Sequence, residues 1–542
     1  MKPRYLIAAL FSGVLLSLPW LGGSGTLLFI AFLPLLYIES ALFSERHTYG
    51  SIVFGLYSFL TFFIWNGLTT WWIAHATLIG AAVAIMLNSL LMSAVWWIAH
   101  NVKRIKGITY GNYFLVFAWL AFEYLHYNWD MSWPWLTLGN GFANDIYLIQ
   151  WYEITGVLGG SLWVLLLNLL VGSLLNPLLL GTGHFDRKRW IIPAMALCIP
   201  LACSLFRFSS YREKTDPVEV VISQPNIDPY HDKFRGMSYD DQFDRLIAGF
   251  DSLGTPETRF FIGPETALHD VWENNPDRNW HVWSLKRFLN LNYPDAVAIV
   301  GASSYRQYQP DDALPESVRY RNDSSFIYTA HNSALFIRPR EKVGIYHKSV
   351  LVSGVEKMPF QKFFRFLEPL ILDLGGMTGT LGTQPKPTVF THDGTIVGVP
   401  ICYESGYGAY ISGFVEKGAN LLLVITNDGW WYNSPGYRQH LSFSRLRAVE
   451  FRRSVARCAN TGISCLIDQR GMYLQKTRWW EQTAIRGSLN RNNARTLYAR
   501  LGDVLGRIGV FLFVLMGLGA LAEGLKNKGV GQGLIIHKKE PH

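Results

Sequence analysis

The chain has 542 residues, of which 49% are hydrophobic and 15% aromatic, and its formal net charge at pH 7 is +9. These hydrophobic fractions are high for a soluble protein, and the length leaves room for about two to four domains. A positive charge can indicate nucleic-acid binding, but here the basic residues of the first half lie in short loops between apolar runs. That distribution is typical of membrane topology, so we expect no nucleic-acid partner.

The cysteines and histidines do not form a familiar metal or disulfide pattern. The five cysteines are an odd number without disulfide-framework or metal-ligand spacing, and they are Cys198, Cys203, Cys402, Cys458 and Cys465. The fourteen histidines are scattered, and neither a His-Glu-x-x-His motif nor a Walker loop occurs. We therefore expect no metal site and no cofactor.

Eight apolar stretches reach or approach the length that crosses a hydrocarbon core of about 30 Å. They lie near residues 4–22, 26–44, 51–75, 77–99, 111–127, 157–181, 190–208 and 504–525. The first could pass for a signal peptide, but no small-residue cleavage site follows it and another apolar span comes at once. We predict eight transmembrane helices, the first being an uncleaved anchor.

The Lys and Arg residues of the short loops predict the orientation of these helices. One side of the membrane carries thirteen of them, namely Lys2, Arg4, Arg46, Lys103, Arg104, Lys106, Arg187, Lys188, Arg189, Lys526, Lys528, Lys538 and Lys539. The opposite loops, near 23–25, at 76 and across 128–156, carry none. By the positive-inside rule, both termini should be cytoplasmic and residues 212–495 should lie outside the cytoplasmic membrane.

Composition and periodicity divide the chain into three parts. Residues 1–211 form a membrane domain of seven helices, and residues 496–542 form a last membrane helix with a basic cytoplasmic tail. Between them, β-rich runs near 218–223, 259–262, 296–301, 333–337, 396–401 and 420–426 alternate with helical patterns near 237–252, 281–291 and 437–456. Continuous apolar strands covered on both faces predict an α/β domain over residues 212–495.

Three of the residues that follow β-rich runs make a coherent chemical set. Glu265 follows Phe260-Phe261-Ile262, Lys348 follows Ile345-Tyr346, and Cys402 follows Val399-Pro400-Ile401. A thiol attacks a carbonyl as the thiolate, so it needs a base, which Glu265 can provide. Lys348 can stabilise the oxyanion of a tetrahedral intermediate. Taken alone, Cys402 could be a buried structural thiol, which is the commonest fate of a lone cysteine.

The order of these motifs resembles the nitrilase superfamily, and the membrane helices narrow the resemblance to the apolipoprotein N-acyltransferase family. The central motifs are Pro264-Glu265, Tyr346-His347-Lys348, Cys402-Tyr403-Glu404 and Thr426-Asn427-Asp428-Gly429-Trp430. Further matching stretches are Ser223-Gln224-Pro225-Asn226-Ile227, Trp133-Pro134-Trp135, Gln439-His440, Arg445 to Glu450 and Ala459 to Ser464. The resemblance covers nearly the whole chain and implies a membrane helix bundle with a nitrilase-like αββα sandwich.

The resemblance also implies roles for individual residues. The family's base falls on Glu265, its oxyanion-stabilising lysine on Lys348 and its nucleophile on Cys402, while an additional essential glutamate falls on Glu356. Tyr403 and Glu404, which follow the nucleophile, are supporting positions. One stretch departs from the family, which usually reads Leu-Val-Pro-Phe-Gly-Glu where this chain reads Leu-Val-Ser-Gly-Val-Glu over residues 351–356.

Two aromatic segments are candidates for the walls of a substrate cleft. Trp430 and Trp431 follow a predicted strand end, where they could line a cleft or simply pack in the core. The run 360–374, with Phe360, Phe363 and Phe364, could be a core helix or an arm that dips into the outer leaflet and admits acyl chains.

The resemblance implies a bacterial inner-membrane enzyme that acts on lipid-anchored substrates. A phospholipid would donate an acyl chain to Cys402, and the α-amino group of the diacylglyceryl-cysteine of an apolipoprotein would accept it in a ping-pong reaction. We expect a monomer with the catalytic domain on the periplasmic side. A membrane-tethered nitrilase-type amidase, which transfers acyl groups to water, would use the same three residues. A catalytically inactive lipid binder is a further alternative, whereas few charges within the predicted spans argue against a transporter.

Overall fold

The computed structural model describes residues 2–309, 311–320, 326–358 and 380–536. Its first part is a helix bundle that includes the last long helix of the chain. The helices of the bundle are Pro3–Ser17, Leu28–Ala31, Leu33–Ser44, Ile52–Thr70, Leu78–Lys106, Ile108–Tyr127, Tyr152–Thr155, Val157–Leu179, Ile191–Ser210 and Val504–Ile536. The predicted helical membrane bundle is thus confirmed.

Seven segments of the described chain are long and apolar enough to cross a membrane. They are Pro3–Leu21, Gly25–Ser44, Ile52–His75, Leu78–Lys106, Val157–Leu179, Arg187–Ser210 and Val504–Asn527. The remaining predicted span, 111–127, forms a helix of suitable length, Ile108–Tyr127, but it is less apolar because it carries Asn112, Glu123 and His126. Seven of the eight predicted spans therefore meet both criteria, and the eighth is a more polar helix within the bundle.

The helix Ile108–Tyr127 packs against the C-terminal helix Val504–Ile536. The hydroxyl of Tyr110 donates a hydrogen bond of 2.8 Å to the carbonyl of Met516. Gly506 lies so close to Tyr124 that an added Cβ would come within 2.6 Å of that side chain. The last helix of the chain thus covers the more polar helix of the first half.

The described residues of the α/β part form two sheets. Their strands are β1 Pro217–Gln224, β2 Thr258–Ile262, β3 Leu268–Trp272, β4 Val297–Tyr308, β5 Arg319–Tyr320, β6 Ile327–Ile337, β7 Gly344–His347, β8 Val389–His392, β9 Thr395–Gly398, β10 Leu421–Thr426, β11 Val455–Ala459, β12 Cys465–Ile467, β13 Tyr473–Lys476 and β14 Thr483–Asn490. The first sheet has eight strands in the order β14-β1-β2-β4-β6-β5, with β3 paired to β4 and β7 to β6. The second has six strands in the order β13-β12-β11-β10-β9-β8.

The two sheets pack face to face, and helices cover their outer faces. Alternate residues of β2, such as Phe260 and Ile262, belong to the core between the sheets with Leu421 and Leu423 of β10. Their neighbour Phe261 packs on the opposite face. The first sheet is covered by Tyr239–Leu253 and Trp280–Asn292, and the second by Gly408–Glu416 and Pro435–Phe451. This is the predicted αββα sandwich, whose central strands are apolar on both faces because both faces are buried.

The Trp-rich segment 128–156 lies between the bundle and the sandwich. Trp135 is buried, and its indole N–H donates a hydrogen bond of 2.6 Å to Oε1 of Gln439. Trp72 donates to the same oxygen at 3.2 Å. The amide nitrogen of Gln439 donates to the carbonyls of Trp20 and Thr69, at 3.0 and 3.1 Å. One buried amide of the sandwich therefore contacts three regions of the bundle.

Replacing Gln439 by Leu should loosen the attachment of the sandwich to the bundle. The substitution would leave buried indole and carbonyl groups without their partner, and each such loss costs about 1–3 kcal/mol. We expect a clear fall in the thermal unfolding midpoint of the detergent-solubilised protein. Gln475→Leu, on the exposed face of β13, is the matched control and should leave the midpoint unchanged. Equal midpoints for the two variants would contradict this role of Gln439.

Candidate active site

The three residues selected from the sequence all lie at strand ends. Glu265 follows β2, Lys348 follows β7, and Cys402 begins the short 3-10 turn Cys402–Gly406 after β9. Cys402 has a φ of 51°, in the left-handed region. Such a conformation costs a non-glycine residue about 1–3 kcal/mol and is often found at functional sites. The turn thus holds the thiol in a backbone conformation that the surroundings must stabilise.

Glu265 and Lys348 form a buried ion pair. The Lys348 ammonium lies 3.1 Å from Oε1 of Glu265, and 1% of the lysine is exposed. Oε2 of the carboxylate accepts a hydrogen bond of 3.0 Å from the backbone N–H of Asn427. Gly301 of β4 lies behind this position, where a Cβ would come within 2.5 Å of the Glu265 Cα. The missing side chain at Gly301 therefore allows the carboxylate to reach the site.

Glu356 also reaches the site, although the loop before it departs from the family sequence. Its Oε1 lies 2.8 Å from the Lys348 ammonium, and its Oε2 accepts a 2.9 Å hydrogen bond from the backbone N–H of Val352. The amide of Asn332 donates to both carboxylates, at 2.7 Å to Glu265 and 3.2 Å to Glu356. Lys348 and Asn332 together hold two carboxylates that would otherwise repel each other.

A second lysine lies close to Glu265. Lys233 is 3% exposed, and its ammonium donates a short hydrogen bond to the hydroxyl of Thr266, the residue after Glu265. Burial lowers the pKa of Lys233 to about 8, against an opposing effect of Glu265. Two buried ammonium groups, those of Lys348 and Lys233, therefore lower the pKa of Glu265.

The surroundings shift the pKa values of the Glu265 carboxylate and the Cys402 thiol in opposite directions. Burial alone would raise the pKa of Glu265, but Lys348, Asn332 and Lys233 outweigh it and hold the pKa below its ordinary value. Burial and the Glu265 charge raise the pKa of the Cys402 thiol, which Lys348 only partly offsets. At neutral pH the site therefore holds a protonated thiol beside an ionised carboxylate. This is the state that a thiol needing a base should adopt.

Glu404 and Tyr403 fix the turn that carries Cys402. The Glu404 carboxylate accepts hydrogen bonds from the Tyr346 hydroxyl at 2.8 Å and from the backbone N–H groups of Ile401 at 2.8 Å and Ser349 at 2.6 Å. Burial raises the pKa of Glu404 to about 7, although these backbone donors oppose that shift. Glu404 thus ties the Cys402 turn to the chain just after Lys348. The hydroxyl of Tyr403 donates to the carbonyl of Ser132 in the Trp-rich segment, at 2.8 Å.

A buried charged network supports the other side of the turn. His440 Nε2 lies 3.1 Å from the Cys402 carbonyl, and its Nδ1 lies 2.8 Å from Asp428. Arg457 contacts the second oxygen of Asp428 at 2.6 Å. Ser405 also donates to the Cys402 carbonyl, at 2.7 Å. These contacts stabilise the left-handed backbone at the thiol from inside the sandwich.

The predicted cleft residues differ in their surroundings. Trp430 and Trp431 are both partly buried. Trp431 packs against Trp72 of the bundle with ring centroids 4.8 Å apart, whereas Trp430 contacts Tyr230 at 5.3 Å. The positions predicted for a lipid-dipping arm, Phe360, Phe363 and Phe364, lie outside the described residues.

Sequence reasoning missed several residues of this site. Asn332 lies in the middle of β6, and Lys233 lies in a short turn after β1, so neither follows a predicted strand. In the sequence, His440 belongs to a stretch that matches the family, but nothing there indicates its contact with Cys402. Asn427 could be found from the sequence, because it directly follows β10 and the loops after the strands of an α/β sheet present functional groups.

The fold and this site define a membrane-embedded enzyme of the carbon–nitrogen hydrolase class. Residues 280–499 match a family model described as carbon-nitrogen hydrolase, and residues 12–170 match one described as the apolipoprotein N-acyltransferase N-terminal domain. An apolipoprotein N-acyltransferase of Chlorobaculum tepidum is 31% identical over 84% of this chain and 86% of its own length. The chain belongs to the apolipoprotein N-acyltransferase family.

The chain is also similar to a second relative and to a solved structure. An apolipoprotein N-acyltransferase of Geobacter metallireducens is 27% identical over 92% of each chain. Among solved structures, a CN-hydrolase superfamily protein of Xanthomonas campestris is 15% identical, with a TM-score of 0.34. That match covers 51% of this chain and 91% of the other.

Glu265→Gln should slow the alkylation of Cys402 by iodoacetamide at neutral pH. The thiol pKa is raised by burial, so alkylation depends on a nearby proton acceptor, and removal of that base should cost about a hundredfold. The measurement is mass spectrometry of the peptide that contains Cys402, as a function of time. The exposed substitution Glu257→Gln is the matched control. An unchanged alkylation rate in Glu265→Gln would contradict the role of Glu265 as the base.

Proposed function

We propose that this protein transfers a fatty acyl chain from a membrane phospholipid to the α-amino group of the N-terminal diacylglyceryl-cysteine of apolipoproteins. The observation that carries the proposal is the match of both halves of the chain to apolipoprotein N-acyltransferases. The buried thiol, carboxylate and ammonium at the junction with the membrane bundle supply the chemistry that the transfer requires. The protein is thus a lipoprotein N-acyltransferase of the bacterial inner membrane.

In the first half-reaction, Glu265 accepts the proton of Cys402, and the thiolate attacks the carbonyl carbon of the phospholipid ester. A tetrahedral intermediate forms, and the Lys348 ammonium stabilises its oxyanion. When the intermediate collapses, the carbon–oxygen bond of the ester breaks and Glu265 returns the proton to the departing alkoxide. The products are a lysophospholipid and a thioester on Cys402.

In the second half-reaction, the neutral α-amino group of the lipoprotein attacks the thioester carbonyl. Glu265 accepts a proton from the attacking nitrogen, and the carbon–sulfur bond breaks. The same proton then passes to the departing thiolate, so that Cys402 and Glu265 recover their starting states. Glu356 keeps Lys348 in position during both steps because it accepts a hydrogen bond from the ammonium, and Asn332 keeps Glu265 in position because its amide donates to that carboxylate.

The location of the site suits two lipid-anchored substrates. The Cys402 turn rests on the Trp-rich segment through Tyr403, and Trp431 contacts the bundle through Trp72. Phe234, which is 58% exposed, stacks on Trp430 with ring centroids 6.5 Å apart, and Tyr432, which follows Trp431, is 37% exposed. Exposed aromatic side chains are favourable neighbours for acyl chains and headgroups at a membrane interface. We propose that lipids enter the site along this aromatic margin.

The arrangement in the membrane and the domain boundaries are parts of the same proposal. The positive-inside bias supports a topology with both termini in the cytoplasm and the sandwich in the periplasm. We propose domain boundaries at 1–211, 212–495 and 496–542, supported by a bundle helix that ends at Ser210 and strands that run from Pro217 to Asn490. We propose a monomer, since one chain supplies every residue of the two half-reactions.

Incubation with phospholipid alone should leave an acyl chain on Cys402. We expect the intact mass of the wild-type protein to rise by one acyl group, and the mass of Cys402→Ala to stay unchanged. Cys458→Ala is a control, because Cys458 is buried in β11 and should not affect acylation. Addition of a diacylglyceryl-cysteine peptide should remove the acyl group and yield an amide-linked chain. Release of free fatty acid with no acylated peptide would instead support an amidase-type hydrolase.

Lys233→Met should move the acid limb of the pH–rate profile to higher pH. Glu265 must be ionised to act as base, so activity is present above its pKa and is lost as the pH falls through it. Lys233 helps to keep that pKa low, and its removal should therefore raise the pKa. The measurement is kcat/KM against pH for acyl transfer, with exposed Lys476→Met as control and Lys233→Arg expected to restore the limb. A fall in kcat/KM by the same factor at every pH, with no shift of the acid limb, would contradict this role of Lys233.

A further inference from the structure

Three side chains outside the proposed acyl-transfer site converge within the first sheet. They are Glu273, which follows β3, His331 of β6 and His347 of β7. One ligating atom of each lies within 4.8 Å of the other two. Nδ1 of His331 lies 3.0 Å from Oε1 of Glu273, and Nε2 of His347 lies 3.5 Å from Oε2. We propose that these residues bind one divalent transition-metal ion, with zinc as the expected species.

The donor set suits zinc. Two imidazoles and one carboxylate are a recurrent zinc ligand set that leaves a further position for water. Imidazole nitrogen favours zinc, copper, nickel and iron over magnesium and calcium, which prefer oxygen ligands. Ligands about 2.0–2.2 Å from one ion are separated by roughly 3–3.5 Å in a tetrahedral arrangement. The contacts between Glu273 and the two imidazoles lie in this range.

The groups around the three side chains match the surroundings of a metal centre. A metal-binding histidine commonly uses its second ring nitrogen to contact a polar group, which fixes its tautomer. Nδ1 of His347 lies 2.9 Å from the Ser333 hydroxyl, and Nε2 of His331 lies 3.3 Å from the Thr329 hydroxyl. Ser304 donates a 2.7 Å hydrogen bond to Glu273. In each imidazole, the nitrogen that faces Glu273 is the one left for a metal ion.

The contact between His331 and Glu273 also favours an ion between the two side chains. His331 is 6% exposed, and its Nδ1 lies 3.0 Å from Oε1 of Glu273. This contact is not aligned as a hydrogen bond, although buried polar atoms usually make one. A metal ion between His331, His347 and Glu273 would bind that nitrogen and the carboxylate together.

The sheet explains why scattered histidines come together. Strands β6 and β7 are antiparallel neighbours, with Ser333 opposite His347. Strands β4 and β6 are also neighbours, with Ser304 opposite His331. Directly opposite residues project from the same face of a sheet. His331 lies two residues before Ser333 on β6 and therefore projects from the same face as Ser333 and His347. The two imidazole rings stack there with centroids 4.0 Å apart.

The proposed ion would stabilise the supports of the acyl-transfer site. His331 directly precedes Asn332, and His347 directly precedes Lys348. A metal ion would join the strands that carry these two residues to the chain after β3. Its role would be structural, because no hydrogen bond or ion pair among the described residues joins either histidine to the Cys402 turn. Metal occupancy should therefore affect the stability of the sheet edge that holds Lys348.

Metal analysis of the full-length protein tests this proposal. The protein should be purified in detergent without a polyhistidine tag, incubated with zinc sulfate, dialysed and measured by inductively coupled plasma mass spectrometry. We expect about one zinc per chain for the wild type and less than about a tenth for His347→Ala and Glu273→Gln. His184→Ala, in an exposed loop of the bundle, is the matched control and should retain the metal.

A second measurement keeps the test informative if a variant folds poorly. Cobalt added to the wild-type protein should give visible d–d absorption, which zinc should abolish, and zinc should raise the unfolding midpoint by preferential binding to the folded state. A wild-type protein without stoichiometric zinc, cobalt absorption or a shifted midpoint would overturn the proposal. So would equal zinc content in the wild type and His347→Ala. The three side chains would then form only a hydrogen-bonded network.

Discussion

The buried amide of Gln439 joins the two halves of this protein. It donates to two carbonyls and accepts from two indoles, all of them in the bundle or the Trp-rich segment. Because a buried amide has four hydrogen-bonding positions, this geometry satisfies it completely. The next residue, His440, supports the backbone of Cys402 from the same helix. The helix Pro435–Phe451 thus contacts both the bundle and the turn that carries the thiol.

The second constraint is the balance of buried charge. An unpaired carboxylate or ammonium in a dry interior is very unfavourable, and paired groups need further hydrogen bonds. Two carboxylates, Glu265 and Glu356, share Lys348 and Asn332, while Lys233 approaches Glu265 from another loop. This arrangement keeps a carboxylate ionised beside a thiol that stays protonated. We propose that the reactive state is then formed by a proton transfer from Cys402 to Glu265.

Much of this architecture could be predicted, because apolar runs determine both membrane spans and buried strands. All six predicted strands and all three predicted helices of the sandwich are present, and two of those strands are followed by Glu265 and Cys402. Asn332 and Lys233 were missed because their roles come from pairing between strands and from loop packing, which leave no local pattern. The same reason hides the cluster of Glu273, His331 and His347. The length of its apolar run predicts the more polar helix Ile108–Tyr127, but its sequence does not show that Glu123 accepts a hydrogen bond from the backbone N–H of Leu138, outside the helix.

The packing of the last helix against Ile108–Tyr127 has a consequence for biogenesis. The ribosome releases Val504–Ile536 only after the whole sandwich has been synthesised. Until then the face of Ile108–Tyr127 that carries Tyr110 and Tyr124 lacks the neighbour that covers it in the folded protein. Lys106, at the end of the preceding helix, pairs with Glu523 only at that late stage. The bundle therefore closes last, and a chain truncated before residue 504 should leave that face open to lipids or quality-control proteases.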